Sequence, residues 1–195
     1  MPAVSDEIFE KYLQKAISET NELGDEIARA AGEGGVPVLG SGHPLADVFM
    51  VKPVPQPAEV QEGVAFYGRS GQAILKSLQR LSVDPMAIYG TNALKFATGE
   101  DADEARPWLE RELHIVQPKL VVVMGEQALA FLNGLEFPLS ETVAAEPGTL
   151  QRFTPTVQAL FVPDIDASLD DESAKRAFWG AFRSLGEWYA DFPPY

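Results

Sequence analysis

Apolar residues recur at helical spacing through residues 5–31, where Phe9, Leu13, Ala16, Ile17, Leu23 and Ile27 are separated by acids and lysines. That period predicts one long amphipathic helix. The next run, AGEGGVPVLGSGHPLA, is interrupted by glycine and proline every few positions and predicts a connecting loop. Beyond it the pattern alternates. ADVFMV (46–51), AIYGTN (87–92) and KLVVVMG (119–125) are short apolar runs, the last a β-branched stretch of the kind buried on both faces of a sheet. Between them lie SGQAILKSLQRLSV (70–83), with Ile74, Leu75, Leu78 and Leu81 on one face, and DADEARPWLERELHIVQP (101–118), whose acidic first turn suits a helix dipole. EQALAFLNG (126–134) predicts a helix closed by Gly134. TLQRFTP (149–155) and VQALFVP (157–163) predict a pair of extended segments. The run 172–192 ends the pattern as an amphipathic helix that packs through Phe178, Phe182, Leu185 and Tyr189.

Strands separated by helices in this way imply βαβ units, hence a mainly parallel sheet covered on both faces. Residues 1–45 are expected to be an N-terminal helix and connecting loop packed on a single domain, 46–195. Ligands of such sheets bind at the carboxyl ends of the strands. Those ends are the loops 52–69, 92–100, 125–127 and 163–171. The first carries three prolines before the turn Gly68-Arg69-Ser70-Gly71-Gln72 opens a helix. Ser70 is expected to cap that helix, and its free N–H groups beside Arg69 could receive an anion. An ordinary strand-to-helix turn is the plainer alternative.

Composition narrows the chemistry. With 46% hydrophobic and 23% charged residues in 195, the chain can bury one sizeable core. It has no cysteine, which leaves no disulfide, thiol nucleophile or iron–sulfur ligand, and two histidines offer little for zinc. No metal or other cofactor is expected. His43 in the first loop and His114 inside a predicted helix read as structural. No run has the length of a membrane span and the N-terminus is acidic, so a cytoplasmic protein with no membrane partner is expected. The net charge of −14 disfavours DNA as a partner, because phosphate binding draws on a basic face. Glu100, Asp101, Asp103 and Glu104, with Asp164, Asp166, Asp170, Asp171 and Glu172, are expected to rim the strand ends, against Lys52, Arg69, Lys95 and Arg106.

The stretch ADVFMVKPVPQPAEVQEGVAFYGRSGQAILKSL resembles the first motif region of uracil-DNA glycosylases, especially the iron–sulfur (family 4) branch. IYGTNALKF and ARPWLERELHIVQPKLVVVMGEQAL continue the likeness over roughly residues 46 to 132, and it resumes in ALFVPDIDASL and the last helix. The resemblance implies a three-layer α/β/α sandwich around a mainly parallel four-stranded sheet. It also implies cleavage of the bond between uracil and a DNA sugar. Phe66 matches the aromatic that stacks on the flipped base, and Asn92 matches the amide that reads its edge. An aromatic face suits a pyrimidine, and an amide both donates and accepts as an imide requires.

The departures fall on the chemistry. The family's first motif looks like Gly-Glu-(Ala/Gly)-Pro-Gly, and here it reads Lys52-Pro53-Val54-Pro55-Gln56, with only Pro55 kept. Pro55 and Gln56 are therefore expected at the base, but without the close backbone approach that glycine allows. Glu59 reads as a solvated loop carboxylate. Asp166 stands where the family's histidine stabilises charge on the departing uracil, and a carboxylate there opposes it unless protonated. Phe96 and Ala105 occupy two of the cluster-cysteine positions. Three readings follow. The first is a superfamily protein with part of a nucleobase pocket and weak or no base excision, which binds a nucleobase, a nucleotide-like molecule or a protein. The second is an active glycosylase that uses Asp164 or Asp166 as its catalytic carboxylate. The third is an acidic module that binds a basic protein.

Overall fold

The computed structural model describes residues 4–33, 35–97 and 102–192. Six strands form one sheet: β1 (Ser41–Gly42), β2 (Val48–Lys52), β3 (Ile88–Asn92), β4 (Leu120–Met124), β5 (Leu150–Arg152) and β6 (Gln158–Val162). Their order is β1-β3-β2-β4-β6-β5. The four inner strands are parallel, with Val48 level with Ile88 and Leu120, and Leu120 level with Gln158. The expected four-stranded parallel sheet is thus present, widened by two short antiparallel edges. β5 and β6 are the predicted extended pair. β1 falls in the run read as a loop, and Gly42 explains how it pairs there. At φ +116 a Cβ on Gly42 would lie 2.3 Å from the Ile88 carbonyl oxygen.

The helices are α1 (Val4–Ala30), α2 (Pro57–Glu62), α3 (Arg69–Arg80), α4 (Ala102–Val116), α5 (Glu126–Asn133), α6 (Ile165–Ser168), α7 (Glu172–Phe182) and α8 (Ser184–Asp191). Successive strand residues point to opposite faces, and each face meets its own helices. Phe49, Val51, Val121 and Val123 pack with Leu109, Leu113, Leu129 and Leu132 of α4 and α5. Val48, Met50, Val122 and Met124 pack with Ile74, Leu78, Phe178, Phe182 and Leu185 of α3, α7 and α8. The result is three layers. α1 adds to one outer side, where Ala16, Leu23 and Ile27 meet Ile115 and the partly buried Leu39, Leu45, Phe96 and Trp108.

The sequence reading differs from the structure in its shortest parts. The proline-rich stretch holds α2, which Pro57 starts at a position where its missing N–H is no loss. The last helix is two, α7 and α8, which meet at Arg183; the Ser184 hydroxyl that opens α8 donates to the Gly148 carbonyl. Glu100 and Asp101, expected on the acidic rim, lie outside the described residues. Among the described residues no helix is long and apolar enough to cross a membrane.

Candidate functional site

At their carboxyl ends β2 and β3 place Lys52 and Asn92 side by side in register. Both side chains are fully buried. The Lys52 ammonium donates to Glu59 Oε2 at 2.7 Å, to Asp166 Oδ2 at 2.8 Å and to the Val54 carbonyl at 3.0 Å. All three of its protons are therefore used. A buried cation of this kind persists only when such partners offset its lost hydration.

Glu59 is the centre of the site rather than the solvated carboxylate expected. It is the third residue of α2, and the turn through Gly63, at φ +71, lets the chain return over it. Its Oε2 also accepts from the Gln56 N–H at 2.7 Å, while Oε1 accepts from the Phe66 N–H at 2.5 Å and from Asn92 Nδ2 at 3.4 Å. One carboxylate thus spans the two residues expected to face a base. Phe66 is held at φ +60, with its ring centroid 5.7 Å from Lys52 Nζ. The ring lies on the Gly90 backbone, where any Cβ would come within 2.7 Å of it. Phe66 also lines a cleft of about 500 Å³ between α3 and β3, with Met50, Leu75 and Ile88.

Asn92 Oδ1 is buried with no hydrogen-bond partner among the described residues. Turning the amide over would set that oxygen against the Glu59 carboxylate, so the orientation is fixed by charge. Pro55 is buried and Gln56 holds the cap position at the start of α2. The Glu59 carboxylate bridges the Phe66 N–H and the Asn92 amide, and the Lys52 ammonium lies beside it.

Asp164 and Asp166 fall in the stretch 163–171, read from sequence as a loop after the last strand. They instead start the single turn of α6, where Asp164 Oδ1 caps the helix by accepting from the Asp166 N–H at 2.9 Å. Asp166 keeps a small exposed fraction, 13% of its side chain, beside its bond to Lys52. Burial raises its carboxyl above the usual aspartate range. The Lys52 bond and charge oppose that shift, and the neighbouring Asp164 and Glu59 charges add to it. Arg69 is engaged at the surface by Asp170 at 2.5 and 3.3 Å. Ser70 is buried and does not cap α3; Gly68, at φ +98, holds the cap position. Much of the acidic rim also has structural work. Asp103 pairs with Arg106, Asp171 caps α7 and Glu172 bonds Lys175.

Lys95, read from sequence as a basic residue at the mouth, is fully buried on the other side of β3. Its ammonium donates to Glu112 Oε2 at 2.5 Å, Thr91 Oγ1 at 2.7 Å and the Asn92 carbonyl at 2.8 Å. Glu112 Oε1 accepts from the Tyr89 and Thr91 hydroxyls, each at 2.9 Å. Burial, then the Glu112 charge, pushes the Tyr89 hydroxyl well above its ordinary range. The signal for this network was present in α4, where Glu112 interrupts an apolar face between Leu109 and Leu113. An iron–sulfur cluster does not fit these residues. No thiolate exists in the chain, the Phe96 ring packs edge-on against Trp108, and Ala105 is buried in the core. Among the described residues no group of His, Asp and Glu could hold a metal ion.

Comparison with known proteins shows the family. The sequence is 24% identical over 160 residues to the type-4 uracil-DNA glycosylase of Archaeoglobus fulgidus, covering 77% of this chain and 80% of that protein. It is 26% identical over 95 residues to the type-4 uracil-DNA glycosylase of Pyrobaculum aerophilum, covering 45% of this chain and 48% of that protein. The sequence profile of the uracil DNA glycosylase superfamily matches residues 39–183, from the strand edge at β1 to the end of α7. The chain belongs to that superfamily.

Proposed function

We propose that this superfamily member keeps the walls of a nucleobase slot, Phe66 and Asn92, but excises uracil weakly or not at all. The observation that carries this reading is the saturated Lys52 ammonium, held by Glu59 and Asp166 beside Asn92 and so left with no proton to offer a departing base. Two further effects act in the same direction. Uracil departs with negative charge on its oxygens, and a carboxylate at position 166 opposes that charge. Loss of one oxyanion donor alone typically costs about 3 kcal/mol, a hundredfold or more in rate. The chain's net charge of −14 also repels the phosphates of DNA. The second enzymatic reading, with Asp164 or Asp166 as the working carboxylate, has less support. The first caps α6 and the second is bonded to Lys52.

The test is uracil release from single- and double-stranded oligonucleotides that each carry one uracil, with the oligonucleotide in excess over purified protein. Release no faster than in the protein-free control is expected; multiple turnover at ordinary enzymatic rates overturns the reading. Binding without cleavage remains part of it, because the unpaired Asn92 Oδ1 would gain from a ligand N–H. A titration with free uracil followed by nuclear magnetic resonance should shift signals of Phe66 and Asn92 if that oxygen takes a base.

A further inference from the structure

The cleft of about 500 Å³ beside Phe66 runs between α3 and the sheet edge formed by β3 and β1. Met50 and Gly90 stand level on neighbouring strands and form its floor with Ile88, and Ile74 and Leu78 of α3 form the wall across from them. Phe66 closes one end, its ring lying in the space a Cβ on Gly90 would take. Lys52, Glu59, Asn92 and Asp166 do not line this cleft, so it is a separate place from the nucleobase slot, though Phe66 borders both.

The lining says what suits it. In a chain with 23% charged residues, none of the described residues around the cleft carries a charge. A charged molecule would shed its hydration there with no counter-charge in return. The mouth is apolar as well, with Leu75, Tyr67 and Val64 at 53%, 51% and 39% exposure. The spacing of α3 puts Leu75 on the face of Ile74 and Leu78, yet it stays outside the core that those two join. Large apolar side chains gathered at a concave opening mark a binding surface rather than scattered exposure. One exposed amide at the mouth, that of Gln72, is open to donate or accept. Phe66 and Tyr67 supply rings for an aromatic occupant to pack against.

We propose that this cleft binds an uncharged, flat aromatic molecule of about two fused rings, packed against Phe66 and met by the Gln72 amide through a single polar group.

The probe is 2-naphthol, which is uncharged at neutral pH, titrated into the full chain with its methionine methyl groups carbon-13 labelled. Among the described residues Met50 is the one methionine that lines this cleft, whereas Met86 lines the cleft beside α1. A saturable shift of the Met50 methyl signal is expected, half complete at on the order of 100 µM probe, with Met86 unmoved. The 2-naphthoate anion and the 2-naphthylmethylammonium cation should each bind at least about tenfold more weakly. The cation is the stricter comparison, because the net charge of −14 attracts it. Leu75→Asp sets a charge at the mouth from an exposed position and should weaken 2-naphthol several-fold, with helicity by circular dichroism unchanged. No saturable shift at Met50, a response at Met86 alone, or either ion binding as tightly as 2-naphthol overturns the proposal on the wild-type chain. Undiminished binding by Leu75→Asp overturns it too. Any of these results leaves the reading of the nucleobase slot untouched, since that reading is tested by uracil release.

Discussion

Asp166 shows most clearly how one side chain can carry opposed effects. Its carboxyl is pushed up by burial and pulled down by Lys52, and the upward push wins. A carboxyl raised in the folded protein holds its proton more tightly there than in the unfolded chain. Its contribution to stability is therefore greatest at low pH and declines as pH rises from the ordinary aspartate value through the raised one. Asp170 and Glu26, which Arg69 and Arg111 hold below their ordinary values, act in the opposite direction. The Asp166 share must be read by difference. The unfolding free energy of the wild type minus that of Asp166→Asn should fall across that interval, as measured by urea unfolding at a series of pH values. A flat difference would mean that Asp166 is not raised. The sequence showed that a carboxylate replaces histidine at this position. It did not show the cation beside it, because Lys52 meets its partners 7 and 114 residues away. Apolar spacing says nothing about where a lysine at a strand end finds its anions.

The longer elements of the fold were legible and the shorter ones were not, for a physical reason. α1, α3, α4 and the four inner strands each repeat a hydrophobic period at least once, so burial is written in their spacing. α2, α6 and β1 have six, four and two residues, too few for a period to appear. They are set by turn chemistry and contacts from elsewhere, and α2 and α6 deliver Glu59 and Asp166 to the site. The same limit hid the tie between α4 and the segment after β3. The resemblance assigns cluster cysteines at Phe96 and Ala105. Here that region is held by the buried Lys95–Glu112 pair and by the Phe96 and Trp108 rings. Lys95→Met would leave the Glu112 carboxylate buried without its cation. Removing one member of such a pair costs about 3–5 kcal/mol. A urea-unfolding loss of that size is expected, and one below about 1 kcal/mol would show that the hydroxyls of Tyr89 and Thr91 suffice for Glu112.

For the whole molecule, charge is the leading variable. A chain at −14 repels itself when compact, and its exposed ion pairs, such as Arg69 with Asp170, return little. Screening should relieve more repulsion than it removes attraction. Raising sodium chloride from about 10 to about 300 mM should therefore raise the thermal midpoint, as read by scanning fluorimetry. A fall would mean that the surface pairs outweigh the net charge. Fold class was accessible at this scale because strand and helix patterns alternate along the chain. The state of the site was not, because composition reports how many acids there are but not which of them are paired.

The Lys52–Glu59–Asp166 arrangement also couples two positions at which this chain departs from the motifs it resembles. Lys52→Gly alone would strand two carboxylates in a dry interior. Asp166→His alone would press an imidazole against an ammonium. Each step toward the family's pattern is harmful until the other has been taken, so the three-residue cluster works as a ratchet that point mutation does not readily reverse.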